Sequence, residues 1–299
     1  MAHITFNMAT RGLRRGSPPM VLFEQAKRFG IWNPSDIDLT QDKKDWESLA
    51  EPQRDMLLRV TSMFAVGEEA VTMDLLPLMN VIAREGRIEE LLYLTTFLWE
   101  EAKHVDFFSR FLTEVCGAPK DLTQYASPNY TMIVYETLPE VLDALIDDPS
   151  PMALARATSV YNMIVEGMLA ETAYHSFFTI MDRHNMMPGS RQGVRNLKLD
   201  ESRHIAYGVY LLSRLMSADP QVWNVVEKTM NSLLIPGLGV VSDFFSHYDP
   251  IPFDITQDEL SAYAASQFQK RFDRVRRART MTLAEIDKET QAIIDGSDS

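Results

Sequence analysis

Two stretches of the sequence place a glutamate three residues before a histidine. The pairs are Glu101 with His104 and Glu201 with His204. Because residues three apart lie on one face of a helix, each pair can direct a carboxylate and an imidazole at one point. A further glutamate precedes each pair at a nearly equal distance, so the pattern Glu, Glu-x-x-His occurs twice. The six candidate metal ligands are Glu68, Glu101, His104, Glu166, Glu201 and His204.

Three of these glutamates have an acidic neighbour, and the apolar pattern indicates which residue of each acidic doublet faces inward. Glu101 belongs to an apolar stripe with Phe97 and Phe108, whereas Glu100 falls on a polar face. The same reasoning assigns three acidic residues to outer faces: Glu69, Glu100 and Asp200. Asp200 can pair there with Arg203. We therefore predict that replacing Glu100 or Asp200 leaves metal binding unchanged.

Four carboxylates in one apolar core need compensating positive charge, because an unpaired buried carboxylate costs several kcal/mol. Two divalent cations balance four glutamates, and two neutral imidazoles complete an oxygen and nitrogen shell suited to iron or manganese. A single Glu-x-x-His is more often a surface pair than a metal site. The repetition of the whole pattern favours the di-metal site, which has the ligand set of ferritin-like di-iron and di-manganese proteins.

Helices must position these ligands, and apolar residues recur at helical spacing along most of the chain. The fold class is therefore predicted as all-α: a ferritin-like four-helix bundle with additional helices and one long crossover between Glu101 and Glu166. We expect one domain over residues 1–299, with mobile ends at 1–18 and 295–299. The expected helices cover residues 52–84, 87–116, 130–146, 151–183, 192–217 and 221–246, and another begins near Thr256.

Composition narrows the possible partners and the location. The chain has 299 residues and a net charge of −13, which argues against nucleic acid as a partner. It has no apolar run long enough to cross a membrane and no secretory signal pattern, so we expect a cytoplasmic protein. The single cysteine, Cys116, cannot form an internal disulfide. A basic run at residues 269–279 is interpreted as a solvated helix face, with binding of an anionic partner as the alternative.

Five segments resemble the ribonucleotide-reductase small-subunit-like ligand-binding oxidases. They are "WNPSDIDLTQDKKDW", "GEEAVTMDLLP", "LTTFLWEEAKHVDFFSRF", "ATSVYNMIVEGMLAET" and "DESRHIAYG". The resemblance implies an oxidoreductase with one manganese and one iron ion per chain, di-iron being the alternative. It assigns Glu68, Glu101 and His104 to manganese, and Glu166, Glu201 and His204 to iron. It further implies that dioxygen is activated, that a long-chain fatty acid or similar apolar carboxylate binds at the metals, and that C–H bonds undergo two-electron oxidation. We also expect a homodimer.

The resemblance further implies an ether bond between Tyr161 and Val71, and it places Tyr174 near the metals. All three residues also fit an ordinary apolar core. Tyr161 is five residues before Glu166, which is unfavourable on an ideal α-helix. A distorted turn, or an approach from the side, is therefore expected at this point.

Two other functions share this ligand frame. A ribonucleotide reductase small subunit would generate a radical for a partner subunit, but the position four after His104 is Phe108 rather than a tyrosine. The docking tail of such subunits also contains a tyrosine, whereas the last tyrosine here is Tyr263. Metal storage ranks third, since the chain is much longer than one bundle. The natural substrate cannot be read from the sequence.

Overall fold

The computed structural model describes residues 6–117, 121–282, 284–286 and 288. Every regular element within these ranges is helical, and none of them is a strand. The predicted all-α class is therefore confirmed.

Twelve α-helices occur in the described part of the chain. They are α1 (Asn7–Thr10), α2 (Pro18–Phe29), α3 (Thr40–Ser48), α4 (Glu51–Arg84), α5 (Ile88–Arg110), α6 (Pro128–Tyr130), α7 (Leu138–Asp147), α8 (Pro151–Thr158), α9 (Glu171–Arg183), α10 (Pro188–Ala218), α11 (Val222–Phe245) and α12 (Gln257–Ala278). Three π-helical segments cover Phe111–Val115, Thr131–Thr137 and Ser159–Ala170. Short 3₁₀ turns lie at Pro34–Asp36 and Thr123–Tyr125.

Four long helical segments form the bundle. The first, second and fourth are α4, α5 and α10. The third is the continuous stretch made of α8, the third π segment and α9. α4 packs along α5, and the third π segment packs along α10. α6, the second π segment and α7 form the long crossover between α5 and α8. α11 and α12 pack against the outside of the third π segment.

The start of α10 differs from the sequence prediction by about one turn. The amides of Gly189 and Ser190 donate to the buried Asp42 carboxylate at 2.9 and 2.6 Å. The first amides of a helix have no partner within it, so this carboxylate from α3 stabilises a start at Pro188. In contrast, α12 begins as predicted: the Thr256 hydroxyl accepts from the Glu259 amide at 3.2 Å.

None of the described helices is both long and apolar enough to cross a membrane. The predicted mobility of residues 1–5 and 295–299 falls outside the described ranges. Before α2, Arg11 bonds Glu89 at 2.6 Å and Asn7 donates to the Gly86 carbonyl at 2.8 Å. Mobility of residues 6–18 stays a prediction.

Candidate metal centre

The six predicted ligands meet in the interior of the bundle. Their donor atoms form two overlapping groups, and within each group the atoms lie within 4.8 Å of one another. One group is Glu68, Glu101, His104 and Glu201; the other is Glu101, Glu166, Glu201 and His204. All six side chains are buried. Glu101 and Glu201 belong to both groups, so the arrangement provides two adjacent positions that share two carboxylates.

Each element of the bundle contributes to this cluster. α4 carries Glu68, α5 carries Glu101 and His104, the third π segment carries Glu166, and α10 carries Glu201 and His204. The Nδ1 atom of His104 lies 3.3 Å from Glu68 Oε2, and that of His204 lies 2.9 Å from Glu101 Oε1. Both imidazoles therefore direct Nδ1 at the carboxylates.

Several buried oxygen and nitrogen atoms of the cluster, each able to bind a metal, have no hydrogen-bond partner among the described residues. They are both Glu101 oxygens, Glu166 Oε1, Glu201 Oε2 and His204 Nδ1. Buried polar atoms nearly always have a partner. Unsatisfied carboxylate and imidazole atoms that face one point fit divalent cations of the iron and manganese type.

The outward nitrogen of each histidine contacts a second acidic residue. His204 Nε2 lies 3.0 Å from Glu100 Oε2, and His104 Nε2 lies 3.3 Å from Asp200 Oδ2. Glu100 and Asp200 are both 0% exposed. The prediction that these residues occupy outer faces is therefore wrong. A carboxylate that accepts from Nε2–H fixes the tautomer and leaves Nδ1 free to bind a metal.

The burial of Glu100 and Asp200 follows from the way the helices meet. Arg203 of α10 donates to Glu100 of α5 at 2.5 Å and also bonds Asp200, as the sequence predicted. Lys103 lies 3.0 Å from Asp200, and the Trp32 indole donates to Asp200 at 2.8 Å. The polar faces of α5 and α10 thus face each other beneath Trp32 and form a buried ionic network.

The three residues that the resemblance singles out, Val71, Tyr161 and Tyr174, lie beside the cluster. The Tyr161 hydroxyl donates to the Val71 carbonyl at 3.1 Å, and both side chains are buried. Tyr161 and Glu166 lie within the third π segment, where i to i+5 bonding brings residues five apart to one side. Of the two arrangements that the sequence left open, the distorted turn is present. The Tyr174 hydroxyl bonds Glu68 and lies 3.5 Å from Glu201 Oε1.

An apolar cavity of about 50 Å³ opens from the carboxylates. Glu68, Glu166 and Glu201 line it together with apolar side chains such as Phe64 and Val134. A second apolar cavity of about 50 Å³ continues between α4, α9, α11 and α12. Met63, Leu169 and Ala173 line both cavities and separate them.

Comparison with known proteins relates this centre to a family. The sequence model of the ribonucleotide reductase small chain matches residues 24–264. The chain belongs to the ribonucleotide reductase small-chain family. Similar solved structures include an R2-like ligand-binding oxidase with aerobically reconstituted Mn/Fe cofactor after a long soak. It is 38% identical, has a TM-score of 0.88, and the match covers 92% of this chain and 98% of that one.

Two variants of an R2-like ligand-binding oxidase are similarly close. One is a valine-to-leucine variant with anaerobically reconstituted Mn/Fe cofactor, and the other is a tyrosine-to-phenylalanine variant with aerobically reconstituted Mn/Fe cofactor. Each is 38% identical with a TM-score of 0.87, covering 91% of this chain and 98% of the other. The chain is therefore a member of the R2-like ligand-binding oxidases and a di-metal oxidoreductase.

Electrostatics in the oxidase centre favour added positive charge. Burial raises the pKa of Glu68 to about 8 and that of Glu166 well above its usual value. Burial also acts to raise the pKa of Glu101, but the neighbouring histidines hold it at about 2. Desolvation disfavours charged histidine, yet the surrounding carboxylates raise the pKa of both imidazoles. Protons and metal ions therefore compete for this centre, and metal affinity should weaken as pH falls.

We expect Glu100→Gln and Asp200→Asn each to lower metal affinity about 10–100-fold, because the histidines lose the acceptors that orient them. Competitive metal titration measures the effect, and circular dichroism checks that the helices persist. Glu69→Gln is the matched control, since Glu69 is exposed and adjacent to a proposed ligand. Unchanged metal affinity in both buried variants would instead support the sequence prediction that Glu100 and Asp200 are not needed for metal binding.

Sequence reasoning predicted the pairing of Asp200 with Arg203 but missed the buried outer layer as a whole, which consists of Trp32, Glu100, Lys103, Asp200 and Arg203. A usable signal was nevertheless present. Both copies of the motif contain an acidic doublet, and in both a basic residue immediately precedes the histidine. Lys103 and Arg203 occupy equivalent positions in the two copies. This repetition indicates a second layer of paired acidic and basic residues behind the ligands.

Proposed function

We propose that this chain binds one manganese and one iron ion, activates dioxygen and oxidises a C–H bond by two electrons. Manganese is assigned to Glu68, Glu101 and His104, and iron to Glu166, Glu201 and His204, with di-iron as the alternative pair. The observation that carries the proposal is the convergence of these six buried residues around inward atoms without hydrogen-bond partners. The bound metals would supply the redox chemistry of oxygen activation.

The protein residues have separate roles in this proposal. Glu101 and Glu201 contribute to both metal positions. Asp200 and Glu100 hold the proton on Nε2 of the two histidines, so that Nδ1 presents its lone pair to the metals. Tyr174 bonds Glu68 and can restrain that carboxylate. Apolar walls around the cavity keep water away from the reacting groups.

The ligand proposed for the cavity is a long-chain fatty acid or a similar apolar carboxylate. Its head would approach the metals beside Glu68 and Glu166, and its chain would contact the apolar walls. The volume of about 50 Å³ is far below the roughly 300–1,000 Å³ typical of ligand pockets. A long chain therefore requires Met63 and Leu169 to move and join the two apolar cavities. Met63 is unbranched and adapts readily.

Purified protein is expected to carry such a lipid, detectable by organic extraction and mass spectrometry. Ala173→Trp should greatly reduce the extracted amount and retain the metals, because the larger side chain fills the junction between the two cavities. Ala83→Trp places the same change on an exposed position of α4 and serves as the control. Equal lipid content in the two variants would contradict this location of the chain.

We also propose that Tyr161 becomes joined to Val71 by an ether bond. Support comes from the buried contact between the Tyr161 hydroxyl and the Val71 backbone. The β-carbon of Val71 carries a tertiary hydrogen, which is the weakest aliphatic C–H of that side chain. A homodimer and a cytoplasmic location complete the proposal.

The test of the function is anaerobic loading with both metals followed by exposure to oxygen. Elemental analysis is expected to find two metal ions per chain, and intact mass is expected to fall on oxygen exposure. Two metals without any oxygen consumption or change in mass would leave metal storage as the better interpretation.

A further inference from the structure

A large cavity lies on a different face of α10 from the metal ligands. Its volume is about 560 Å³, and it is bounded by α12, α10 and the start of α9. Ser202, Ile205, Ala206 and Val209 of α10 form its floor. These residues follow one helical stripe, whereas Glu201 and His204 face the metal centre.

The walls of this cavity are basic although the whole chain has a net charge of −13. Four cationic side chains of α12 line it: Lys270, Arg271, Arg274 and Arg277. Only two carboxylates do so, those of Glu171 and Asp273. Asp273 is already paired with Arg276 at 2.7 Å, and Arg276 does not line the cavity. Part of the basic run at residues 269–279 therefore lines a cavity, in addition to forming a solvated helix face.

Several of these cationic side chains have N–H groups that bond no described residue. The buried Nε of Arg271 has no hydrogen-bond partner within the described ranges. The side chains of Lys270 and Arg277 form no hydrogen bond or salt bridge with any described residue. The Arg271 stem passes close to the backbone of Gly167: a side-chain carbon added at Gly167 would lie only 3.1 Å from Arg271 Cγ. The absence of a side chain at Gly167 thus lets the guanidinium stem pass close to the third π segment.

We propose that this cavity binds a phosphate monoester, that is, a small organic molecule whose phosphate carries about two negative charges. Guanidinium groups match the geometry of phosphate oxygens, and lysine adds a mobile positive charge. The cavity volume falls within the roughly 300–1,000 Å³ of small-molecule sites. Ile205, Val209 and Tyr263 offer an apolar surface to the organic part. The strongly negative remainder of the chain disfavours a nucleic acid or an anionic membrane.

Isothermal titration calorimetry of the metal-loaded protein tests the proposal, with adenosine monophosphate and flavin mononucleotide as organic probes and inorganic phosphate as the third. At least one organic probe should bind more tightly than inorganic phosphate. The double variant K270Q/R277Q should bind that probe about tenfold more weakly or worse, because two charged donors are lost. Glu171→Gln should bind it more tightly, since a like charge is removed from the wall.

The control is K228Q/R84Q, which changes the net charge equally at exposed positions outside the cavity. It should leave the dissociation constant unchanged at fixed ionic strength. The proposal is overturned if neither organic probe binds, if inorganic phosphate binds as tightly as both of them, or if the control loses as much affinity as K270Q/R277Q.

Discussion

Glu101→Ala and Glu201→Ala are each expected to reduce bound metal to well below one ion per chain. Both carboxylates belong to the two overlapping donor groups, so each replacement removes a ligand from both metal positions. Glu68 and Glu166 belong to one group each. Glu68→Ala and Glu166→Ala should therefore each retain close to one ion. Elemental analysis of protein loaded with both metals measures the difference.

The matched control for these variants is Glu69→Ala, which alters an exposed neighbour of Glu68 and should retain two ions. Helical content by circular dichroism separates loss of ligands from loss of fold. If Glu68→Ala and Glu101→Ala lost metal equally, the two positions would not share carboxylates as we propose.

Tyr161→Phe is expected to abolish the ether bond completely while retaining both metals. In the proposed reaction of the wild-type protein, one hydrogen would leave the Val71 β-carbon and one the Tyr161 hydroxyl as the C–O bond forms, and dioxygen would accept the two electrons and two protons released. Oxygen exposure should therefore lower the mass by two hydrogen atoms and link the two peptides. Phenylalanine has no oxygen to form the bond, so the Tyr161→Phe peptides should remain separate. Peptide mapping of protein before and after exposure measures this.

Tyr174→Phe provides the control for the cross-link. Tyr174 bonds Glu68, whereas Tyr161 is the tyrosine that bonds the Val71 carbonyl. The link should therefore still form in Tyr174→Phe. A different result in wild-type protein would favour the reductase: unlinked peptides, with a persistent radical that supports nucleotide reduction by a partner subunit, would reject the cross-link and the proposed oxidase function.

Phe108, four positions after His104, bears on whether the chain could act as a ribonucleotide reductase small subunit. Phe108 is fully buried and stacks on Phe64 with ring centroids 4.8 Å apart. Phe64 in turn stacks on Tyr174 at 4.7 Å. Phe108 itself carries no hydroxyl that could form a tyrosyl radical. Two tyrosines that do lie beside the cluster are Tyr161 and Tyr174, which belong to the third π segment and α9.

The sequence by itself determined the fold class, the approximate extent of the long helical segments and the set of six residues that converge. Apolar periodicity reports the faces of a single helix, and Glu-x-x-His places two donors on one face whatever the neighbouring helix is. Repetition of the pattern then related four helices to one centre. The choice of Glu101 over Glu100 as the inward residue followed from the same periodicity and agrees with the observed donor groups.

Only the tertiary structure decided what surrounds those residues. Glu100 and Asp200 lie on polar faces, but α5 and α10 turn these faces towards each other, so the charges are buried as pairs instead of solvated. The contact between the Tyr161 hydroxyl and the Val71 carbonyl depends on the relative placement of helices, as does the presence of Glu101 and Glu201 in both donor groups. The same holds for the basic cavity, since residues 269–279 face α10 across a gap. Periodicity identifies the faces of each helix, whereas packing determines which of them meet, because burial is a property of two surfaces in contact.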